Sequence, residues 1–132
     1  MERLGALRAF SGLSRAELTR LAELTVEIEV RPGQELTTQG RLAHEFFVIE
    51  EGSVEVRQDG KRIAELGPGD FFGEIALVAA ERRTATVVAT TPGRVVVMSR
   101  AEFRRMEREM PTVADRIRAA ITARLDADAT SR

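Results

Sequence analysis

The chain has 132 residues, 43% hydrophobic and 31% charged, which describes one globular domain rather than a disordered or fibrous chain. Twenty Lys and Arg face 21 Asp and Glu, so no global field draws it to nucleic acid or to an anionic membrane. With no cysteine, disulfide and thiolate chemistry are excluded; MERLGALRAF lacks the apolar core of a signal peptide, no run is long enough to span a bilayer, and a cytoplasmic home is expected.

Periodicity predicts helix, then strands, then helix. A short helical piece around Leu4, Leu7 and Phe10 opens the chain, weakened by Gly5. In LSRAELTRLAEL, Ser14 and Glu17 form a capping box, and Leu13 and Leu18 stand at the ends of a hydrophobic staple. Leu18, Leu21 and Ala22 share one face of this helix. From Leu24 the period becomes two. Leu24, Val26, Ile28 and Val30 point one way, and Thr25, Glu27 and Glu29 the other, which predicts a half-buried strand. RPGQ turns the chain. FFVIEEG and SVEVRQ read as two strands broken at Gly52, and DGK closes a hairpin. TATVVATT and RVVVMS follow, joined at Pro92-Gly93. Turn signals every eight to twelve residues or so predict a sandwich or barrel, the spacing being too short for repeated βαβ crossovers.

At Ser99 the helical period returns. Ser99 and Glu102 form a second capping box, with Met98 and Phe103 as its staple. Phe103, Met106 and Met110 line one face. Arg104, Arg105 and Arg108 interleave with Glu102, Glu107 and Glu109, as on a solvated face. Pro111 interrupts, and a last helix runs to about Leu125, with Val113, Ile117, Ile121 and Leu125 recurring every four residues. That stripe packs against the strands or forms a dimer seam. DADATSR reads as a polar tail.

The stretch GPGDFFGEIAL, Gly67 to Leu77, carries the chemistry. Pro68-Gly69 sets a turn, and Gly73 permits a backbone conformation closed to other residues. GEIAL is long enough for one helical turn, whose first amides make a site for a phosphate oxygen. Ala76 lets a ligand approach the backbone closely. Glu74 is an acceptor when ionised, suited to a hydroxyl pair such as that of a ribose. Arg83 supplies a permanent charge and paired donors that match a phosphate. The residues Val78 to Arg82 let the chain double back, and Thr84 adds a hydroxyl beside Arg83. Phosphate donors, a ribose acceptor and an apolar wall describe a nucleotide pocket; an ordinary surface ion pair of Glu74 and Arg83 is the plainer alternative.

FGEIALVAAERRTATVVA, Phe72 to Ala89, resembles the phosphate-binding cassette of cyclic-nucleotide-binding domains in both blocks and in their spacing. RPGQEL, FFVIEEGSVEV and LGPGDFFGE resemble the same family, so the likeness covers roughly residues 5–125. It implies a mainly β fold, a jelly-roll-like β-roll (double-stranded β-helix) with an N-terminal helix and C-terminal hinge and lid helices. The domain would span residues 1–126, with the roll at about 24–98 and the C-terminal helices at about 100–126, and 127–132 a polar tail. The resemblance implies a binding site of Phe72, Gly73, Glu74, Ile75, Ala76, Arg83 and Thr84. Glu74 would meet the ribose 2′-hydroxyl, and Arg83 with the amides around Ile75 and Ala76 the cyclic phosphate. Thr84 would lie near the phosphate and the purine edge. A base-stacking residue would come from the last helix, with Arg116, Arg118, Thr122 and Arg124 as candidates.

The resulting expectation is a non-enzymatic sensor of cAMP, with cGMP as the alternative ligand. It would relay occupancy through its C-terminal helices to a protein effector, without nucleic acid, membrane or metal as partners. The alternative is a degenerate β-roll serving as a protein-interaction module. A dinucleotide fingerprint is rejected because the last glycine gap is too long and no βαβ unit surrounds it. A metal-dependent roll enzyme would need several ligands where His44 stands as the single histidine, and a serine triad would rest on the same residue.

Overall fold

The computed structural model describes residues 12–73 and 82–119. Helix α1 (Arg15–Glu23) leads into β1 (Val26–Val30), β2 (Glu35–Thr37), β3 (Glu45–Glu51), β4 (Val54–Gln58), β5 (Lys61–Leu66) and β6 (Phe71–Phe72). β7 (Thr86–Ala89), β8 (Gly93–Ser99) and α2 (Arg100–Glu109) follow, and residues 111–119 form a further helix, α3.

The strand pairing is nested: β1 with β8, β2 with β7, β3 with β6, β4 with β5, all antiparallel. One long hairpin is rolled into two four-stranded sheets, β1-β8-β3-β6 and β2-β7-β4-β5. This is the mainly β roll expected from the sequence. The tip of the hairpin is Asp59-Gly60, both at positive φ (53° and 79°) with Gln58 opposite Lys61. A two-residue turn of this hand matches the twist of the flanking strands.

Burial explains the apolar patterns. Between the sheets lie Phe47, Ile49, Val54, Phe72, Val87, Ala89, Val95 and Val97. On the opposite face of the first sheet, Phe46, Val48, Val96 and Met98 pack against Leu21 and Leu24 from the α1 end and Phe103, Met106, Val113 and Ile117 from α2 and α3. β3 and β8 are covered on both faces, so FFVI and VVVM are unbroken apolar runs rather than alternating ones. In β4, Val54 and Val56 turn inward while Glu55 and Arg57 form an ion pair outside, as a half-solvated sheet requires.

The first strand departs from its expected pattern. Leu24 is buried as the C-cap of α1 and is not a strand residue. Val26 and Ile28 share a face with Val97 and Val95 opposite them, yet are 62% and 37% exposed. The reason is position: β1 is the edge of its sheet, and of its apolar residues Val30 alone joins the core between the sheets.

Capping chemistry sets the helix starts. Ser14 and Glu17 form the full reciprocal box, with bonds of 2.9 and 3.1 Å. At Ser99 the hydroxyl half forms, the Glu102 amide donating at 3.2 Å, in a residue that also ends β8 opposite Glu45. Pro111 occupies the first position of α3, where its missing N–H costs nothing. Val113 and Ile117 are buried against the roll, which fits the packing reading of their stripe; Ile121 and Leu125 lie outside the described residues, as do Leu4, Leu7 and Phe10.

Candidate functional site

Among the described residues Arg83 is the one buried charge, 9% exposed. A buried cation needs compensation. Nη1 donates to the Gly73 carbonyl at 3.1 Å and Nη2 to the Glu45 carbonyl at 2.6 Å. The guanidinium also lies 5.9 Å from the centroid of the Phe47 ring, within cation–π range. Phe47 in turn stacks on Phe72, centroids 4.8 Å and planes 7° apart.

Gly73 is at φ 75°, and the space around it explains the residue further. A Cβ there would stand 2.7 Å from Arg83 Nη1 and 2.9 Å from the Glu45 oxygen. Glycine is thus required twice, by the left-handed backbone and by the close approach of the arginine. The main chain of Arg83 is tied down as well: its N–H donates to Arg41 O at 2.7 Å, and its carbonyl accepts from Gly40 N at 2.9 Å.

Of the expected site residues, the structure brings Gly73 and Arg83 into contact. Thr84 follows on the exposed surface, with its carbonyl accepting from Gln58 Nε2 at 3.2 Å. The Phe72 side chain is 4% exposed and belongs to the core, behind Phe47. Glu74, Ile75 and Ala76 lie outside the described residues, as do Thr122 and Arg124. Arg116 is exposed on α3. Arg118 is committed to Glu107 and Asp115, and its guanidinium lies 5.8 Å from the Phe103 centroid, joining α2 to α3.

Sequence reasoning missed the Glu45 carbonyl, because a backbone acceptor carries no residue signature. It also missed Phe47 as the ring beneath the guanidinium; the run FFVI signals burial and nothing more. Two surface hollows, of about 420 and 480 Å³, lie elsewhere, one over the outer side of the second sheet and one beside Arg94. His44 is exposed, and no cluster of three metal-ligating side chains occurs among the described residues. No helix among those residues is long and apolar enough to cross a membrane.

A rolled double sheet holding one buried guanidinium against a left-handed glycine is the class of protein that fold and site define. The chain belongs to the cyclic nucleotide-binding domain family, whose model matches residues 27–109. It is 34% identical over 97 residues to the cAMP-dependent protein kinase regulatory subunit of Yarrowia lipolytica, covering 74% of this chain and 26% of that protein. The catabolite activator protein of Thermus thermophilus superposes with a TM-score of 0.83 at 25% identity, over 93% of this chain and 60% of that one. A cAMP-binding acyltransferase from Mycobacterium smegmatis, solved as a mutant, superposes with a TM-score of 0.75 at 36% identity, over 96% of this chain and 40% of that one. The chain spans at most about a quarter of the length of the curated relatives it matches. The family is one of regulatory binding domains.

Proposed function

We propose that this domain is a non-enzymatic sensor of cAMP, with cGMP as the alternative ligand, and that it passes occupancy to a protein effector through its C-terminal helices. The observation that carries the reading is the buried, carbonyl-anchored Arg83 beside Gly73. A guanidinium held in low dielectric attracts an anion far more strongly than one in water. Its two carbonyl bonds fix the plane of the fork before a ligand arrives, so little side-chain entropy is lost on binding. In this reading Arg83 meets the cyclic phosphate with the amides around Ile75 and Ala76, Glu74 takes the ribose 2′-hydroxyl, Thr84 lies by the phosphate and purine edge, and Phe72 and Gly73 shape the wall. The domain runs to about residue 126. Support for cAMP over cGMP comes from the relatives, two of which are described as cAMP-dependent or cAMP-binding.

For occupancy to be relayed, the ligand must favour one arrangement of the helices over another. α2 begins at the residue after β8 and packs on the opposite face of the sheet from Phe47 and Phe72. A shift at the Gly73–Arg83 corner is thereby one sheet thickness from the helices.

Calorimetric titration with cAMP, cGMP and AMP tests the reading. The expected result is binding of a cyclic nucleotide in preference to AMP. Removing one partner of a buried charge pair costs about 2–5 kcal/mol. Arg83→Ala should therefore weaken cAMP binding at least about tenfold, at roughly 1.4 kcal/mol per decade. No heat with either cyclic nucleotide would instead support the interaction-module reading, and an unchanged affinity in Arg83→Ala would remove that residue from the site.

A further inference from the structure

Arg83 sits in a segment outside the strands, between Arg82 and the start of β7. A loop that carries a binding group needs its own supports, and these are traceable. Thr37 Oγ1 donates to Ala85 O at 3.1 Å, Arg82 Nη1 to Gly40 O at 2.8 Å, and Gln58 Nε2 to Thr84 O at 3.2 Å. With the exchanges between Arg83 and residues 40 and 41, the segment hangs on two neighbours: the end of β2 with the loop after it, and the last residue of β4.

Those two neighbours are locked to each other. Gln39 Nε2 donates to Asp59 Oδ1 at 2.8 Å, and the Asp59 N–H donates back to Gln39 Oε1 at 2.9 Å. Gln39 also donates its own N–H to Thr86 Oγ1 at 3.0 Å, at the far end of the Arg83 segment. Asp59 is the one non-glycine residue at positive φ among the described residues, in the turn at the tip of the β4–β5 hairpin. An acidic residue tolerates that conformation and supplies the acceptor; glycine would supply the conformation alone.

We infer that Gln39, Gln58 and Asp59 are positioning residues for Arg83: the hairpin tip is clasped to the loop after β2, and the two together hold the Arg83 segment in register with Gly73. The inference rests on the proposed role of Arg83 in binding the cyclic phosphate. None of the three needs to touch the ligand.

The test uses the 132-residue chain and two readouts. The first is backbone hydrogen exchange at Gly40 and Arg83 in the unliganded protein, with the β8 amides as internal reference. The second is the Kd for cAMP and cGMP. Asp59→Gly keeps the backbone conformation and the N–H bond to Gln39 but loses the side-chain acceptor, one of the two bonds of the clasp; Asp59→Asn keeps both bonds; Gln58→Met removes the donor to Thr84. Losing one or two exposed bonds corresponds to about a three- to tenfold effect. Asp59→Gly and Gln58→Met should each raise exchange at Gly40 and Arg83 and raise Kd by that factor, with β8 unchanged, and Asp59→Asn should restore both readouts. The inference is overturned if exchange at those two amides does not move, or if Asp59→Gly and Asp59→Asn behave alike. A wild type that binds neither cyclic nucleotide removes the function proposed above; the exchange measurement alone then supports or overturns the clasp.

Discussion

Gly73 and Arg83 hold each other in place, and the constraint can be separated into its two parts by comparing glycines. Gly60 is also at positive φ but has no atom within 4 Å of an added Cβ, whereas at Gly73 that Cβ meets Arg83 Nη1 and Glu45 O inside 3 Å. Gly60→Ala should therefore lose only backbone strain, about 1–2 kcal/mol. Gly73→Ala should lose that and also displace the arginine, for a total of about 2–4 kcal/mol. Urea unfolding of the two variants measures the difference, and equal losses would mean that the guanidinium moves aside without cost. The residue types at this corner were legible in the sequence: a glycine for the backbone and an arginine for charge, at a spacing that lets the chain return. What was not legible is the means of holding the arginine. Among the described residues its anchors include two carbonyl oxygens and the face of a phenyl ring, and a strand residue such as Glu45 reveals nothing about where its carbonyl points.

The helices are tied by charges as well as by their apolar faces. Arg20 of α1 grips Glu109 at the end of α2 through two bonds of 2.6 and 2.7 Å, and Arg118 of α3 is bound to Glu107 of α2. The Arg20 guanidinium holds the Glu109 carboxyl below its ordinary value of 4.5, and the Ser14 backbone N–H does the same for Glu17. A carboxyl with a lowered folded-state pKa binds fewer protons folded than unfolded, so its contribution is complete above about pH 5 and lost as the pH falls through 4.5 and below. Melting temperature should accordingly be level near neutrality and drop below about pH 4.5, and Glu109→Gln should lower the neutral plateau while making the acid limb shallower. An unchanged acid limb in that variant would show that the contact is too well solvated to matter, as many surface pairs are. The sequence pattern of α2 suggested a merely solvated face. It could not show otherwise, because Arg20 is 89 residues away from Glu109 along the chain. The caps were legible, being local: Ser14 and Glu17 are three residues apart and need nothing else.

For the whole molecule, the alternation of strands gave the class of architecture, and the resemblance gave the roll; the nesting itself is not written in any period. β2 and β6 have three and two residues, too few to show a repeat of two. β1 shows a clean repeat and still exposes Val26 and Ile28, since alternation says which residues share a face and not whether anything covers it. The nesting has a kinetic consequence. Gln58 and Lys61 meet across a two-residue turn, while Val26 and Val97 meet across roughly seventy residues of chain, and loop-closure entropy rises along that series. Assembly should therefore zip from the tip outward, with the β1–β8 rung and the docking of the helices onto the finished sheet as the last events. In stopped-flow experiments Gly60→Ala, at the tip, should slow refolding, and Val30→Ala, the core residue of the outermost strand β1, should chiefly hasten unfolding. The segment carrying Arg83 leads into β7, whose partner β2 runs into the loop that holds the Arg83 main chain, so the corner is completed when the β2–β7 rung closes, one step before the outermost strands.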